Sequence, residues 1–364
     1  MANIQGILTT LNQAGAYEDL SPIVAETAAL YQVPLLALLP RTSATNVKHE
    51  WVEDRRKPLA DSLAADVTDT ATTVTVNDGS KFRVRDLLRV GDEVMLVTSR
   101  SGATLTVTRG FGQTTAAAHS EGDAVEIIGN ANPEGASAIE ANATAKVRKY
   151  NMTQIFQTKV EVSGTRASVA QPGGDEFTYQ LLKQFREHLV EIERALVSGT
   201  RNDGTSGTPR TMAGLVEMIG THRQNRNGTL TQDAFISFLR EIFDDGGNPS
   251  LILASPLAMQ AINYWGKGQV IARADDEMFG LAYAQYLCEF GLLHLVMDRY
   301  VPAGALFALD PDLLAYAPLE GRDTQLVELA KTGDSESAII LTETTLEVRN
   351  EYCHGFMYGI TGGA

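Results

Sequence analysis

The stretch Ala44-Thr45-Asn46-Val47-Lys48-His49-Glu50-Trp51-Val52-Glu53-Asp54 alternates along its length. Val47, His49 and Trp51 project to one side of an extended chain and Lys48, Glu50 and Val52 to the other, which is the period of a strand with one sheltered face. Such a strand needs a partner, because its backbone donors and acceptors must be paired. The best partner lies in Val147 to Val162, where Thr158, Val160 and Val162 repeat the period of two. The two stretches read as the arms of a long hairpin.

Between them the texture changes. Asp61 to Gly129 is rich in Thr and Val and punctuated by Gly. It predicts strands at Thr72 to Val76, Glu93 to Thr98, Thr104 to Thr108 and Ala124 to Ile128, with Asn77-Asp78-Gly79 and Ser101-Gly102 as turns. A small antiparallel β-barrel or sandwich inserted over 61–129 is the expectation. Asn130 to Ala145, rich in Ala, Asn and Gly, reads as the linker back to the body. Upstream, residues 1–40 read as an extended arm, with short helices around Ile4 to Leu11 and Ile23 to Tyr31 broken by Gly15, Pro22, Pro34 and Pro40.

Downstream, Pro172-Gly173-Gly174 breaks the chain and Asp175 is placed to cap a helix. Phe177, Leu181, Phe185, Leu189, Ile192 and Leu196 then recur every three or four residues, one apolar stripe ended by Gly199. At ~1.5 Å per residue this helix spans about 35 Å, long enough to be the beam of a flat domain. Thr200 to Pro209 is a turn-rich loop. Beyond it the chain alternates helix and strand. Helices Thr231 to Asp244 and Pro256 to Trp265 flank the buried strand Ser250 to Ala254. Strands follow at Leu293 to Met297, Ala305 to Leu309, Leu313 to Tyr316, Gln325 to Leu329, Ala338 to Thr342, Thr345 to Arg349 and Gly355 to Tyr358. The class is α+β.

Composition narrows the function. The 364 residues are 44% apolar and 21% charged, ordinary globular usage, with a net charge of -15. That charge argues against a protein whose main task is gripping phosphate, since such affinity comes from Lys and Arg displacing counterions. An acidic inner wall of a DNA container remains compatible with it, because it would repel the packed strand. No apolar run approaches the ~20 residues that cross a bilayer. No secretory leader is read at Met1 to Leu20. Cys288 and Cys353 are the only cysteines, outside any CxxC spacing, so two structural thiols are expected and no zinc site.

The search for catalytic motifs returns little. No histidine pair has the HExxH spacing, and His188, beside the helix stripe, reads as a structural imidazole. Gly110-Phe111-Gly112-Gln113-Thr114-Thr115 resembles a phosphate loop only superficially, because the Walker Lys is missing. Gly204-Thr205-Ser206-Gly207 and Gly333-Asp334-Ser335 lack the strand-to-helix setting of a nucleophilic Ser. Asp275-Asp276-Glu277 reads as a helix start, since three consecutive acids cannot all face one cation on a regular element. No catalytic, cofactor or metal residue is expected.

Certain words in the sequence point further. Leu38-Leu39-Pro40-Arg41, the quoted stretch Ala44 to Asp54, and Ile155-Phe156-Gln157-Thr158-Lys159-Val160-Glu161-Val162-Ser163-Gly164-Thr165 resemble major capsid (major head) proteins of tailed bacteriophages, in the group with a β-domain in the extended loop. The resemblance implies the Hong Kong 97 (HK-97)-like fold. It implies an N-terminal arm (1–40), an extended-loop hairpin (41–60 and 146–164) carrying the inserted β-domain (61–129), and a peripheral domain (165–209) with a spine helix (175–198). An axial domain (210–300) and closing strands (301–364) complete the chain.

It also implies a function. The chain would be a structural subunit, not an enzyme, that self-assembles into hexamers and pentamers of an icosahedral head enclosing double-stranded DNA. Portal and scaffolding or cement proteins would be further partners, with no sequence-specific DNA binding and no membrane. Assembly would occur in the host bacterial cytoplasm. The alternatives are the shell protein of an encapsulin-like nanocompartment, and an enzyme or carbohydrate-binding module with scattered site residues. Lys48, Arg55, Arg56, Lys57, Lys146, Arg148, Lys149 and Lys159 cluster on the hairpin of an acidic chain, whereas Glu187, Glu191 and Glu193 sit on the long helix. The expectation is that the basic hairpin docks on an acidic neighbouring surface, with complementarity setting register, and that Trp51 is the apolar anchor.

Overall fold

A computed structural model describes residues 32–55, 59–135, 146–168, 175–205, 207–265, 270–271, 277–278, 281–282, 284–331 and 333–363. The expected helices at Ile4 to Leu11 and Ile23 to Tyr31, Arg56, Lys57, and Asp275-Asp276 fall outside them. The chain divides into two compact units. One comprises Val52–Val147 and the other the remainder.

The larger unit is built on a seven-stranded mixed sheet. Its spatial order is His222–Leu230, Gly355–Gly363, Leu306–Leu309, Leu251–Ala254, Gly291–Met297, Ala284–Cys288 and Val270–Ile271. Alternation assigns its two faces. Ile252, Ala254, Leu306, Ala308 and Met357 meet Phe235, Phe238 and Ile242 of helix Gln232–Asp244 and Ala258 and Ile262 of helix Pro256–Trp265. Leu251, Leu253, Phe307, Leu309 and Phe356 face a second core, shared with Ile192 and Leu196 of the long helix Glu176–Ser198. Leu35, Leu36 and Leu39, in and beside the short helix Pro34–Leu38, close that core.

A second sheet lines the same core. Its central strand, Ser335–Val348, pairs with Gln154–Ser163 on one side and with Gln325–Glu328 and Leu314–Pro318 on the other. Two corrections follow. Ala338 to Thr342 and Thr345 to Arg349 are one 14-residue strand, because Glu343-Thr344 is extended chain and not a turn. The Thr158, Val160, Val162 series does alternate inward, but its partner is this late strand. The strand Lys48–Glu53 finds its partner within the expected stretch, in its first part Val147–Met152, which Thr153 separates from Gln154–Ser163.

The long helix begins and ends where the sequence signals. Asp175 is the N-cap, accepting the Thr178 N–H at 2.9 Å, and Gly199 N–H closes on Ala195 O at 2.8 Å. A Cβ at Gly199 would stand 2.5 Å from Ala195 O and 2.8 Å from Met212 O, so glycine is required by close approach. The smaller unit is a six-stranded antiparallel sheet in the order Ala60–Ser62, Ala124–Asn130, Asp86–Val90, Glu93–Ser101, Thr104–Thr108, Thr73–Thr75. Two of these strands, Ala60–Ser62 and Asp86–Val90, were not anticipated. Its core holds Phe82, Leu88, Met95, Val97 and Leu105.

Candidate subunit-contact surfaces

The alternation of the quoted stretch is realised side by side. Trp51 is 8% exposed, Val47 and His49 are half-buried, and Lys48, Glu50 and Val52 are exposed or face outward. His49 Nε2 lies 3.1 Å from Glu347 Oε2, and the His49 and Trp51 rings are 6.0 Å apart. Burial tends to raise the Glu347 carboxyl, but His49 and Arg349 together hold it below its ordinary range. Trp51 is thus occupied within its own chain, and its burial leaves little ring area for a neighbour.

The partner strand is bound to the body at two points. Asn151 is fully buried and fully used. Its amide N–H groups donate to Ala213 O (3.0 Å) and Leu346 O (2.8 Å), and its oxygen accepts from Ala213 N and Met152 N at 2.9 Å. Tyr150 donates to Asp203 Oδ2 at 3.1 Å, while Lys48 Nζ and Arg201 Cζ lie 4.2 and 4.4 Å from its ring centroid. Cations over an aromatic face are attracted by its quadrupole.

The basic residues of the hairpin are partly satisfied at home. Glu50 pairs with Lys48 at 2.7 Å and with Arg148 at 3.4 Å, and the Lys48 hydrogen bond holds the Glu50 carboxyl below its usual range. Lys159 pairs with Glu161. Lys149 and Lys146 are exposed. Arg55, also exposed, belongs to the smaller unit, so the sequence cluster is divided between two bodies.

On the long helix the three glutamates separate. Glu191 is exposed and lines an open groove of about 720 Å³ with Ile155, Phe156, Arg194 and Tyr300; Glu187 is half-buried. Glu193 is fully buried, and this corrects its placement on a docking face. The sequence held a signal, since position 193 lies four after Leu189 and three before Leu196, on the apolar stripe itself. That stripe is covered unevenly. Ile192 and Leu196 are fully buried, whereas Phe185 is 40% exposed and Leu182, three positions before it on the flank of the stripe, 56%.

The helix start expected at Asp275-Asp276-Glu277 is corrected at Glu277, which lies in the short strand Glu277–Met278, while His188 and the Gly110 loop are occupied within the chain. His188 is fully buried, with Nδ1 2.9 Å from Thr158 Oγ1 and Nε2 2.8 Å from Thr342 Oγ1; burial pushes its pKa below the ordinary histidine value. The Gly110 loop wraps an anion supplied by the chain itself. Glu93 accepts from Arg109 Nε and Nη2 (2.7 Å each), Gly110 N (3.0 Å) and Ala117 N (3.1 Å), with His119 Nε2 at 2.9 Å. Burial works to raise its pKa, but these donors pull it down to about 2. Among the described residues no group of three or more His, Cys, Asp or Glu could hold a metal ion. No helix among them is long and apolar enough to cross a membrane.

The family model of the SU10 major capsid protein matches residues 3–361. The chain belongs to the SU10 major capsid protein family. It is therefore a structural capsid protein of a virion, not an enzyme. The α+β class expected from the sequence stands. Similar solved structures include the cyanophage A-1(L) capsid asymmetric unit, 13% identical over 97% of this chain and 100% of that one, with a TM-score of 0.49. A chain of Mycobacterium phage Bobi is 12% identical over 96% of each chain, with a TM-score of 0.47. The holo-SrpI encapsulin complex from Synechococcus elongatus is 13% identical over 60% of this chain and 80% of that one, with a TM-score of 0.46. No curated protein matches the sequence.

Proposed function

We propose that this capsid protein assembles with copies of itself into the hexamers and pentamers of an icosahedral head that encloses double-stranded DNA. Assembly in the host cytoplasm, with portal and scaffolding or cement proteins as further partners, belongs to the same reading. In it the hairpin over 41–60 and 146–164 is the extended loop, 61–129 the inserted β-domain and 175–198 the spine helix. Residues 165–209 form the peripheral domain, 210–300 the axial domain and 301–364 the closing strands.

The observation that carries the reading is the half-covered stripe of the long helix. A chain that buries Ile192 and Leu196 but leaves Phe185 and Leu182 open carries an apolar strip that a second copy would cover. The charges proposed for register are Lys48, Arg55, Arg56, Arg148 and Lys149 from one copy against Glu187 and Glu191 of the next. Glu50 already neutralises part of this set, through Lys48 and Arg148. Trp51 is proposed to stiffen the hairpin from beneath.

The test is direct. Size-exclusion chromatography with light scattering, followed by electron microscopy of the peak, is expected to yield closed shells of many symmetric copies. A single species below ~200 kDa under all conditions would overturn the reading. Shells filled with a protein cargo and free of DNA would favour the nanocompartment instead.

A further inference from the structure

The strand Gln325–Glu328 lies at an edge of the second sheet. One side of it pairs with Ser335–Val348 in a regular antiparallel register, Leu326 opposite Ile340 and Val327 opposite Ile339, and Leu329 N–H continues the ladder to Ser337 O at 3.0 Å. The other side has no partner strand among the described residues. All four residues are exposed, Leu326 by 52% and Val327 by 42%. Directly opposed residues share a face, as do residues two apart on one strand. Leu326 therefore lies with Ile340 and Thr342 on the side of the long helix, where Thr342 meets His188, and Val327 lies with Ile339 on the outer side. A strand that shows apolar side chains on both faces beside an open row of backbone groups is a template for another strand.

The other margins of this sheet are treated differently. Leu314–Pro318 is covered by the chain itself: Thr42 N–H donates to Tyr316 O (3.0 Å), Ala44 N–H to Pro318 O (2.9 Å) and Tyr316 N–H to Pro40 O (2.8 Å). Gln154–Ser163 keeps Phe156, Val160 and Val162 buried on its inner face and turns Gln157, Lys159 and Glu161 outward, a charged row of the kind that blunts an edge. Gln325–Glu328 has neither a cover among the described residues nor a bulge, and Glu328 is its only charge.

We propose that Gln325–Glu328 pairs antiparallel with the same strand of a second copy, across a two-fold axis perpendicular to the sheet, so that two subunits share one continuous sheet. This rests on the reading that the chain assembles with copies of itself. An antiparallel pair of identical strands is self-complementary and closes on two copies. Rotation about such an axis keeps both helix faces on one side, and the apolar middle of the strand puts the axis on Leu326 or on Val327. Charge allows either centre, because Glu328 then faces Thr324 or Leu326 of the second copy and never Glu328. Parallel pairing in register would set the two Glu328 side chains beside one another, which is disfavoured.

Cysteine cross-linking of assembled particles tests the pairing. Leu326→Cys and Val327→Cys are made separately in the full chain, and since both sites are exposed each variant should melt like the parent. The residue on the axis meets its own copy at about 4.5–5.5 Å between Cα atoms, within reach of a disulfide, whereas its neighbour is offset to about 8 Å and is not. Mild oxidation of shells should therefore link one of the two variants into dimers, with the linked peptide identified by mass spectrometry. The other variant and the natural chain, which carries only Cys288 and Cys353, should stay unlinked. Replacing Leu326 and Val327 together by Lys should lower shell yield about fivefold or more, since like charges then meet at the axis, and leave melting of the unassembled chain unchanged. Normal shells with neither cysteine variant linked would overturn the pairing and leave the shell reading standing. Equal linking of both variants, a link to Cys288, or full yield from the lysine variant would overturn it as well. A single small species that neither closes into shells nor cross-links would overturn both.

Discussion

At the scale of single residues, the chain supplies internally what a ligand would otherwise provide. Glu93 fills the Gly110 loop as an anion, with Arg109, His119 and two backbone amides around it. Its pKa, drawn down to about 2, carries a definite sign. A carboxylate lowered on folding contributes stability present above its ordinary value and lost as pH falls through the lowered one. The Val52–Val147 unit should therefore weaken as pH drops from about 5 towards 2, by on the order of 3 kcal/mol at the acid limit. Glu93→Gln should reproduce most of that loss at pH 7 and flatten the acid dependence, as read by thermal melts. A variant as stable as the parent would mean that the cluster contributes nothing. The sequence showed the glycines of this loop but not its occupant, because Glu93 lies 17 positions away from Gly110 across a hairpin.

Among the elements, the long helix was readable almost to the residue, since cap, stripe and terminator are local signals. The strand His222–Leu230 was not. Its burial alternates along the whole strand, but the inward positions between His222 and Leu230 are Gln224, Arg226 and Gly228, so no apolar alternation marks it in the sequence. It exists by parallel pairing with the C-terminal strand Gly355–Gly363, a contact over more than 130 positions that leaves no local pattern. Pairing likewise decided the hairpin. Thr158, Val160 and Val162 announced a strand, but periodicity identifies a face and not a partner. Of the expected contact residues, the alternation separated Trp51 from Lys48 and Glu50, while the Glu50 ion pairs depended on side-chain geometry. The same limit hid the exposed end of the helix stripe, where sequence reads apolar and only packing tells what is covered. Phe185→Asp should leave the isolated chain as stable as the parent within about 0.5 kcal/mol, as expected for a surface change. If a neighbouring copy covers this site, shell yield should drop by about 30-fold or more, the effect of losing an interface contact of ~2 kcal/mol. Equal yields from the two chains would place the contact elsewhere.

For the whole molecule, the separate cores of the two units imply separate melting. Scanning calorimetry of the unassembled chain should show two transitions. Replacing Asp61 to Gly129 by a short Gly-rich linker should remove one and leave the other within a few degrees. A single transition that disappears in the deletion variant would show that the units fold as one. The route of the chain gives this arrangement a longer reach. Lys48–Glu53 and Val147–Met152 are paired neighbours, so the backbone departs and returns about 5 Å apart. A gene can gain, lose or exchange a module at such a junction without shifting the register of any strand in the body. The pair works as a socket, through which a lineage could alter what its capsid subunit carries while leaving the rest of the subunit intact.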